Sequence, residues 1–436
     1  MKKLFFTFSS VIIILPIVIF AQDVQNIPNT VLTLADAESV AFAQNPDVLS
    51  SSARYREASA QYLSTFSRFL PTASASADWR RSSKESMYII NDRFLSSRDR
   101  YSLGFSASFP LFSGGQDILA LKQAKLAKII AKLSLEDAKS KTRYDVYSAY
   151  FALVQATMQY EISKQSLSRI LDEQKITIQR RKLGSASDVD VSKMKVQVAQ
   201  KRLSEIQAKN SVDRAREQLC SLLNFPLDTN FSVDTTSTPP PASEIPPLEN
   251  FLSQYKANRT YRQSELSYQS SKLSHISSYL NFLPRVNLSG SWGWSGIDMP
   301  SRFSTLSDEG SSSYGLSLSW TLFSGTSRIA SILSSSSQLD ETRYSFEKAD
   351  IGVQQQIREA YRKMVEAAAS FELSQAQVSD AELTHTAMRK RFELGSATLL
   401  ELLDAELTLE QAQLQRVSAI ADFYTQKAQL NWLIGK

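Results

Sequence analysis

The spacing of apolar and polar residues divides the chain into long helical stretches and short stretches with strand periodicity. Apolar and alanine residues recur three and four positions apart through 116–182 and 327–393 without a proline, which predicts two very long helices. At 1.5 Å per residue, each would span roughly 100 Å. Four shorter stretches with the same spacing predict further helices: 34–68, 188–223, 248–279 and 398–433.

Strict alternation marks the remaining ordered segments as strands. Residues 101–111, 286–295 and 313–322 alternate apolar or aromatic side chains with Ser and Gly, and 72–80 does so more weakly. About ten residues suffice for a tilted strand to cross a bilayer. A soluble sheet with one wet face is the alternative, but its polar face would carry Lys and Glu. Polar, charged loops are predicted at 81–100 and 296–312, facing the cell exterior.

Four strands from one chain cannot close a membrane barrel that has a lumen, and open edges are not tolerated in lipid. The strands must therefore come from several copies, and three copies of four strands would supply twelve. The predicted fold class is an α+β membrane protein, with long helices packed as coiled coils and a transmembrane β-barrel formed by several copies of the chain.

The chain contains a tandem duplication. Three short motifs recur in the same order at offsets of 211 to 213 residues: Phe-Leu-Pro at 69 and 282, Leu-Phe-Ser-Gly at 111 and 322, and Leu-Gly-Ser-Ala at 183 and 394. We therefore predict a first repeat at 22–234, a proline-rich linker at 235–247 and a second repeat at 248–436. Each repeat has a helix, two strands, a long helix and a return helix.

The first residues have the pattern of a secretory signal peptide. Met1-Lys2-Lys3 precedes a short apolar run that ends at Phe20, and Ala21 is a small residue at a suitable cleavage point. We predict that residues 1–21 are removed and that the protein leaves the cytoplasm. An N-terminal membrane anchor is the alternative, although the apolar run is short and interrupted for one.

Composition argues against an enzyme, a cofactor and a nucleic-acid partner. Two His and one Cys do not supply the usual ligands of a zinc, haem or iron–sulfur site. The net charge of +5 is too small for nucleic-acid binding. The Gly-x-Ser-x-Gly motif of serine hydrolases is also missing from the sequence.

Together, the duplication, the strands and the motifs at the helix ends resemble the TolC-like outer membrane efflux protein family. The segments that carry this resemblance are Leu32–Ala37 with Ala43–Pro46, Lys182–Ser185 with Asp188–Val191, and Arg391–Ala397 with Glu401–Ala405. The resemblance implies a homotrimer, with a transmembrane β-barrel of four strands per chain in the outer membrane lipid and a long α-helical coiled-coil barrel in the periplasm. It implies an exit duct that meets a periplasmic adaptor and an inner-membrane pump, in drug efflux, metal efflux or type I secretion. A non-conducting coiled-coil protein or adhesin of the envelope is the alternative.

The resemblance also implies sites. The two turns between a long helix and its return helix would dock the adaptor: Leu183, Gly184 and Ser185 in the first, and Leu394, Gly395 and Ser396 in the second. Glu401 and Asp404, with Asp190, would line the channel entrance. Glu401 and Asp404 are three residues apart and share a helix face. An ordinary solvated face is the competing interpretation of this acidic pair.

One departure from the family pattern concerns the closed state. In well-known members a Tyr and an Arg beside the second turn bond to a Thr and an Asp beside the first. Here Asp190 matches the Asp, but Phe392, Ala397 and Val189 stand at the other three positions. The closed state is then held by packing, held elsewhere, or replaced by a more open resting state. Arg180 and Arg181, beside the first turn, are expected to solvate it or to meet an acidic adaptor.

Overall fold

The computed structural model describes residues 31–90, 93–299 and 309–436. The predicted signal peptide at 1–21 lies outside the described residues. The helices are α1 (Leu34–Gln44), α2 (Pro46–Phe66), α3 (Gln116–Lys182), α4 (Asp188–Leu223), α5 (Leu248–Leu252), α6 (Arg259–Leu280), α7 (Ser327–Glu393) and α8 (Leu399–Leu433). The strands are β1 (Val31–Leu32), β2 (Thr72–Ile90), β3 (Arg93–Phe112), β4 (Ser232–Val233), β5 (Arg285–Gly296) and β6 (Ser311–Ser319).

The two long helices have the predicted bounds, and each is 67 residues long. Each packs against its return helix, so that α3 with α4 forms a first hairpin and α7 with α8 a second hairpin. The hairpins also contact each other through α3 and α8. Among the described residues, no helix is both long enough and apolar enough to cross a bilayer.

The single helix predicted at the start of each repeat is wrong, because each is interrupted. Asn45 separates α1 from α2, and Asn258 begins α6 after a short 3₁₀ turn. Each Asn has an extended backbone ψ and caps the helix that follows through its side-chain oxygen. The proline that follows Asn45 favours this extended conformation and suits the first position of a new helix.

The four longer strands form one antiparallel sheet in the order β2-β3-β5-β6. The loop predicted at 81–100 is mostly strand: β2 and β3 stay paired to Ile90 and Arg93, with an irregularity between Arg81 and Ser86. Its charged residues indicated a loop, but the segment Met87-Tyr88-Ile89-Ile90 strongly favours strand.

The last strand is shorter than predicted. β6 ends at Ser319, where it pairs with Arg285, the first residue of β5. Pro284 precedes Arg285 and has no N–H to extend the ladder. Trp320 therefore leaves the sheet, and its indole N–H donates to the Phe282 carbonyl at 2.9 Å.

The core near the two turns is shared between the hairpins. Buried side chains from all four helices meet in one cluster that includes Ile170, Met194, Phe392 and Leu402. Because these side chains come from both hairpins, the cluster fixes the first turn beside the second.

Candidate functional site

The two turns at the ends of the long helices are exposed and built alike. Leu183 is 81% exposed and Leu394 is 84% exposed, so each projects an apolar side chain into solvent. Gly184 and Gly395 follow them with φ of 74° and 80°, a left-handed conformation that glycine adopts at little cost. The predicted docking residues therefore lie together at one end of the molecule.

Ser185 and Ser396 complete these turns. The Ser185 N–H donates to the Arg180 carbonyl and the Ser396 N–H to the Arg391 carbonyl, both at 2.8 Å. These bonds span five residues and satisfy carbonyls at the helix ends, as in a Schellman motif. The backbone shape of each turn is thus fixed locally, and the leucine side chain remains available for contact with a partner.

Two of the predicted entrance carboxylates cap the return helices. Asp190 Oδ2 accepts from the Ser187 N–H at 3.0 Å, and Glu401 Oε2 accepts from the Thr398 N–H at 2.7 Å. The serine and threonine hydroxyls accept in return from the carboxylate residues' backbone N–H groups, which completes two capping boxes. The Ser-x-x-Asp and Thr-x-x-Glu spacings are the sequence signal of these caps.

These hydrogen bonds also lower the pKa of the two carboxyl groups. Donation from the Ser187 backbone N–H, followed by its hydroxyl, lowers the pKa of Asp190 below its usual range. The Thr398 N–H and then its hydroxyl lower the pKa of Glu401 in the same way. Both side chains therefore stay ionised further into the acid range than ordinary carboxylates.

The acidic pair occupies one side of a groove between α7 and α8. Glu401 and Asp404 are exposed and line this groove together with Asp380 and Met388. Glu401 also lines a second groove, between the two turns, where Asp190 lies. Glu401 thus shares one groove with Asp404 and a different groove with Asp190.

An interaction that the sequence did not predict joins the two turns. Arg180 stacks its guanidinium over the Phe392 ring, 4.4 Å from the centroid, and donates to the Phe392 carbonyl at 2.8 Å. Its other terminal nitrogen donates to the Ser185 carbonyl at 3.1 Å. Arg180 therefore connects the first turn to the second through Phe392, the residue that stands where well-known family members have a Tyr.

The chain is similar in sequence to outer membrane proteins of known families. The family model for outer membrane efflux proteins matches residues 38–224 and 277–436, which include both hairpins. Outer membrane protein TolC of Escherichia coli (strain K12) is 24% identical over 313 residues, which cover 66% of this chain and 60% of TolC. The chain thus spans about 60% of the length of this relative.

Two further proteins are similar over larger shares of the chain. Alkaline protease secretion protein AprF of Pseudomonas aeruginosa is 24% identical over 349 residues, covering 77% of this chain and 70% of AprF. The crystal structure of the outer membrane protein VceC of Vibrio cholerae superposes with a TM-score of 0.80 at 16% identity. That match covers 92% of this chain and 96% of VceC, and it shows a common fold.

Proposed function

The chain belongs to the outer membrane efflux protein family, and from this we propose that it is the exit duct of a tripartite efflux system or a type I secretion system. It lies in the outer membrane, and its helices extend into the periplasm. The similarity to AprF, a protease secretion protein, supports a secretory cargo, whereas membership of an efflux protein family supports efflux. In both cases the pump, rather than the duct, would select the cargo.

The observation that carries this proposal is an open sheet, whose two edge strands are β2 and β6. Within the described residues, β2 and β6 each pair on one side only. Tyr314, Leu316 and Leu318 of β6 are 93%, 66% and 65% exposed in the single chain, and Gly and Ser alternate with them. In our proposal three copies join these edges into a twelve-stranded barrel with an apolar outer face.

The two turns would face the partners at the other end of the duct. Leu183 and Leu394 are large apolar side chains held outward by turns that need no partner for their own stability. Single exposed leucines are common on protein surfaces, but two that project from paired turns would together offer an adaptor an apolar contact. We propose that Leu183–Ser185 and Leu394–Ser396 dock a periplasmic adaptor, which joins the duct to an inner-membrane pump.

Glu401 and Asp404 would form the entrance of the duct. Three copies of this pair would place six carboxylates around a narrow opening, which favours cations and binds multivalent ones. Asp190, close to Glu401 across the groove between the turns, would add to the same negative potential.

Conductance in a planar bilayer tests the duct. We expect the purified trimer to give a steady, cation-selective conductance that a trivalent cation blocks from the side of the turns. The double variant Glu401→Gln/Asp404→Asn should conduct but lose the block. Glu382→Gln is the matched control, because Glu382 is an exposed carboxylate of α7 outside the groove lining.

Each outcome separates the parts of the proposal. Conductance with equal block in the wild type and the double variant would remove the acidic entrance and keep the duct. A stable trimer that conducts neither as wild type nor as Arg180→Ala, which removes the contact between the two turns, would contradict the duct itself. That result would favour a structural envelope protein.

A further inference from the structure

A buried polar cluster joins the two hairpins about three helical turns from the exposed turns. Glu173 of α3, His385 of α7 and Glu406 of α8 have side chains that are 1%, 6% and 2% exposed. The Nε2 atom of His385 lies 3.2 Å from Glu173 Oε1 and 3.2 Å from Glu406 Oε2. We call these three residues the inter-hairpin cluster.

Glu406 has a complete set of partners in this cluster. Arg169 approaches it in a bidentate manner, with Nε 2.9 Å from Oε2 and Nη2 3.0 Å from Oε1. The Ser166 hydroxyl donates to Oε1 at 2.8 Å. The negative charge of Glu406 is therefore balanced by the guanidinium of Arg169.

Among the described residues, the Glu173 carboxyl has one hydrogen-bond partner, His385. Its second oxygen, Oε2, is buried and has no hydrogen-bond partner among the described residues. A buried, ionised carboxylate with a single partner is costly unless that partner carries a positive charge. The charge state of His385 and Glu173 therefore decides whether this part of the interface is stable.

Among the described residues, the other charged groups nearby are paired outside the cluster. Arg389, one turn after His385 on α7, pairs with Glu393, and its charge is the weakest of the influences on the pKa of Glu173. Lys201 of α4 pairs with Glu410 of α8, and on α3 Asp172 pairs with Lys175. With two carboxylates and Arg169, the cluster lacks one positive charge, and a single proton shared between His385 and Glu173 makes it neutral.

We propose that the inter-hairpin cluster is a pH-sensitive link: with one bound proton it holds the two hairpins together, and loss of that proton loosens them near the turns. Burial is the main cause that raises the pKa of the Glu173 carboxyl, which agrees with a retained proton. A divalent metal ion is a poorer occupant. The guanidinium of Arg169 already covers both oxygens of Glu406, and a doubly charged ion would leave one buried positive charge in excess.

The sign of the pH effect follows from the raised pKa. The folded protein keeps the proton to a higher pH than the unfolded chain, where Glu173 has an ordinary pKa. The stabilisation is thus complete below the ordinary range of a glutamate. It is lost as the pH rises through the folded-state pKa.

Thermal unfolding of the purified full-length protein in detergent tests the link. We expect the unfolding midpoint of the wild type to fall with rising pH by at least about 2 °C more than that of Glu173→Gln. The amide is close in shape to the carboxyl and stays neutral at every pH, so the variant should fold and lose this part of the pH dependence. His275→Gln is the matched control, since His275 lies on α6 and bonds to Ser335, away from the cluster.

Hydrogen exchange locates the change. At one alkaline pH, peptides of α3 around Glu173 and of α7 around His385 should exchange more slowly in Glu173→Gln than in the wild type, while peptides of β2 and β3 stay the same. An equal pH slope in the wild type and Glu173→Gln would overturn the proposal. Stoichiometric zinc in the purified wild type that is lost in His385→Gln would overturn it as well. Neither measurement uses conductance, so failure of the link and failure of the duct are distinguishable.

Discussion

At the scale of single residues, the contact between Arg180 and Phe392 joins the first turn to the second. A guanidinium combines a planar cationic face for the aromatic ring with separate N–H groups for two carbonyls. The first hairpin thereby binds both the side chain and the backbone of the second. Because Phe392 has no hydroxyl, the ring and the carbonyl take the role that a hydrogen-bonding side chain would have had.

Arg180→Lys should weaken this connection without a change of charge. An ammonium group cannot stack on the ring and reach both carbonyls at once, so we expect a loss of about 1.4 kcal/mol. In the proposed duct this loss would raise the ratio of open to closed states roughly tenfold. Single-channel recording of the purified protein measures the change.

Arg181→Lys is the matched control for this variant. Arg181 is the neighbouring exposed arginine, and it pairs with Asp188 within its own hairpin. Phe392→Leu should give an intermediate effect, since it removes the ring and keeps the backbone carbonyl. If Arg180→Lys and Arg181→Lys open the duct equally, the connection has no role in closing it.

At the scale of elements, the two repeats share one helix–helix connection, here called the asparagine joint, formed by Asn45 in the first repeat and Asn258 in the second. Asn45 and Asn258 are 213 residues apart, and each caps a helix with its side-chain oxygen. Each also donates from Nδ2 to a carbonyl near the end of the return helix of its own repeat, that of Leu222 at 3.0 Å and that of Leu433 at 2.8 Å. One buried side chain therefore starts a helix and fastens it to the end of another.

Asn258→Ala should be strongly destabilising, because it removes a helix cap and leaves the buried Leu433 carbonyl without its donor. We expect a cost of about 2 kcal/mol, seen as a lower thermal unfolding midpoint. Asn258→Asp should cost at least as much at neutral pH, since it keeps the cap but places a carboxylate oxygen against a carbonyl. Asn250→Ala, an exposed asparagine of α5, is the control. Equal midpoints for Asn258→Ala and the control would contradict the joint.

The regular elements were predictable from the sequence, and the joints were not. The long helices follow from local spacing over many turns, and their bounds agree with the structure. The break at Asn45 has a local signal in the proline that follows it, but the bond from Asn45 to the Leu222 carbonyl, 177 residues away, has none. The contact of Arg180 with Phe392 spans 212 residues and requires the two hairpins to be placed side by side. A single sequence contains no local signal for such pairs, whereas the capping boxes at Ser187 and Thr398 were visible and could have been predicted.

At the scale of the whole molecule, the helix cap that contains Glu401 would affect the charge of the duct entrance in the proposed trimer. A capping box stabilises the start of α8 in one chain, and in a ring of three it also fixes three carboxylates at the entrance. The same hydrogen bonds that cap the helix lower the pKa of Glu401. The pH range over which the entrance stays negative is therefore set by the helix cap.

This coupling predicts how selectivity depends on pH. The pKa of Glu401 in the folded protein is below its ordinary value. The cation selectivity that Glu401 provides should therefore persist as the pH falls through the ordinary glutamate range. It should be lost only at lower pH. Thr398→Val removes the hydroxyl that donates to Glu401 Oε2 at 2.9 Å but keeps the backbone N–H, so the loss should occur at a higher pH. Thr398→Ser, which retains a hydroxyl, should behave as the wild type. Reversal potentials in a salt gradient, recorded across this acid range, measure the midpoint. If all three proteins lose selectivity at the same pH, Glu401 does not line the entrance, and the capping box serves the helix alone.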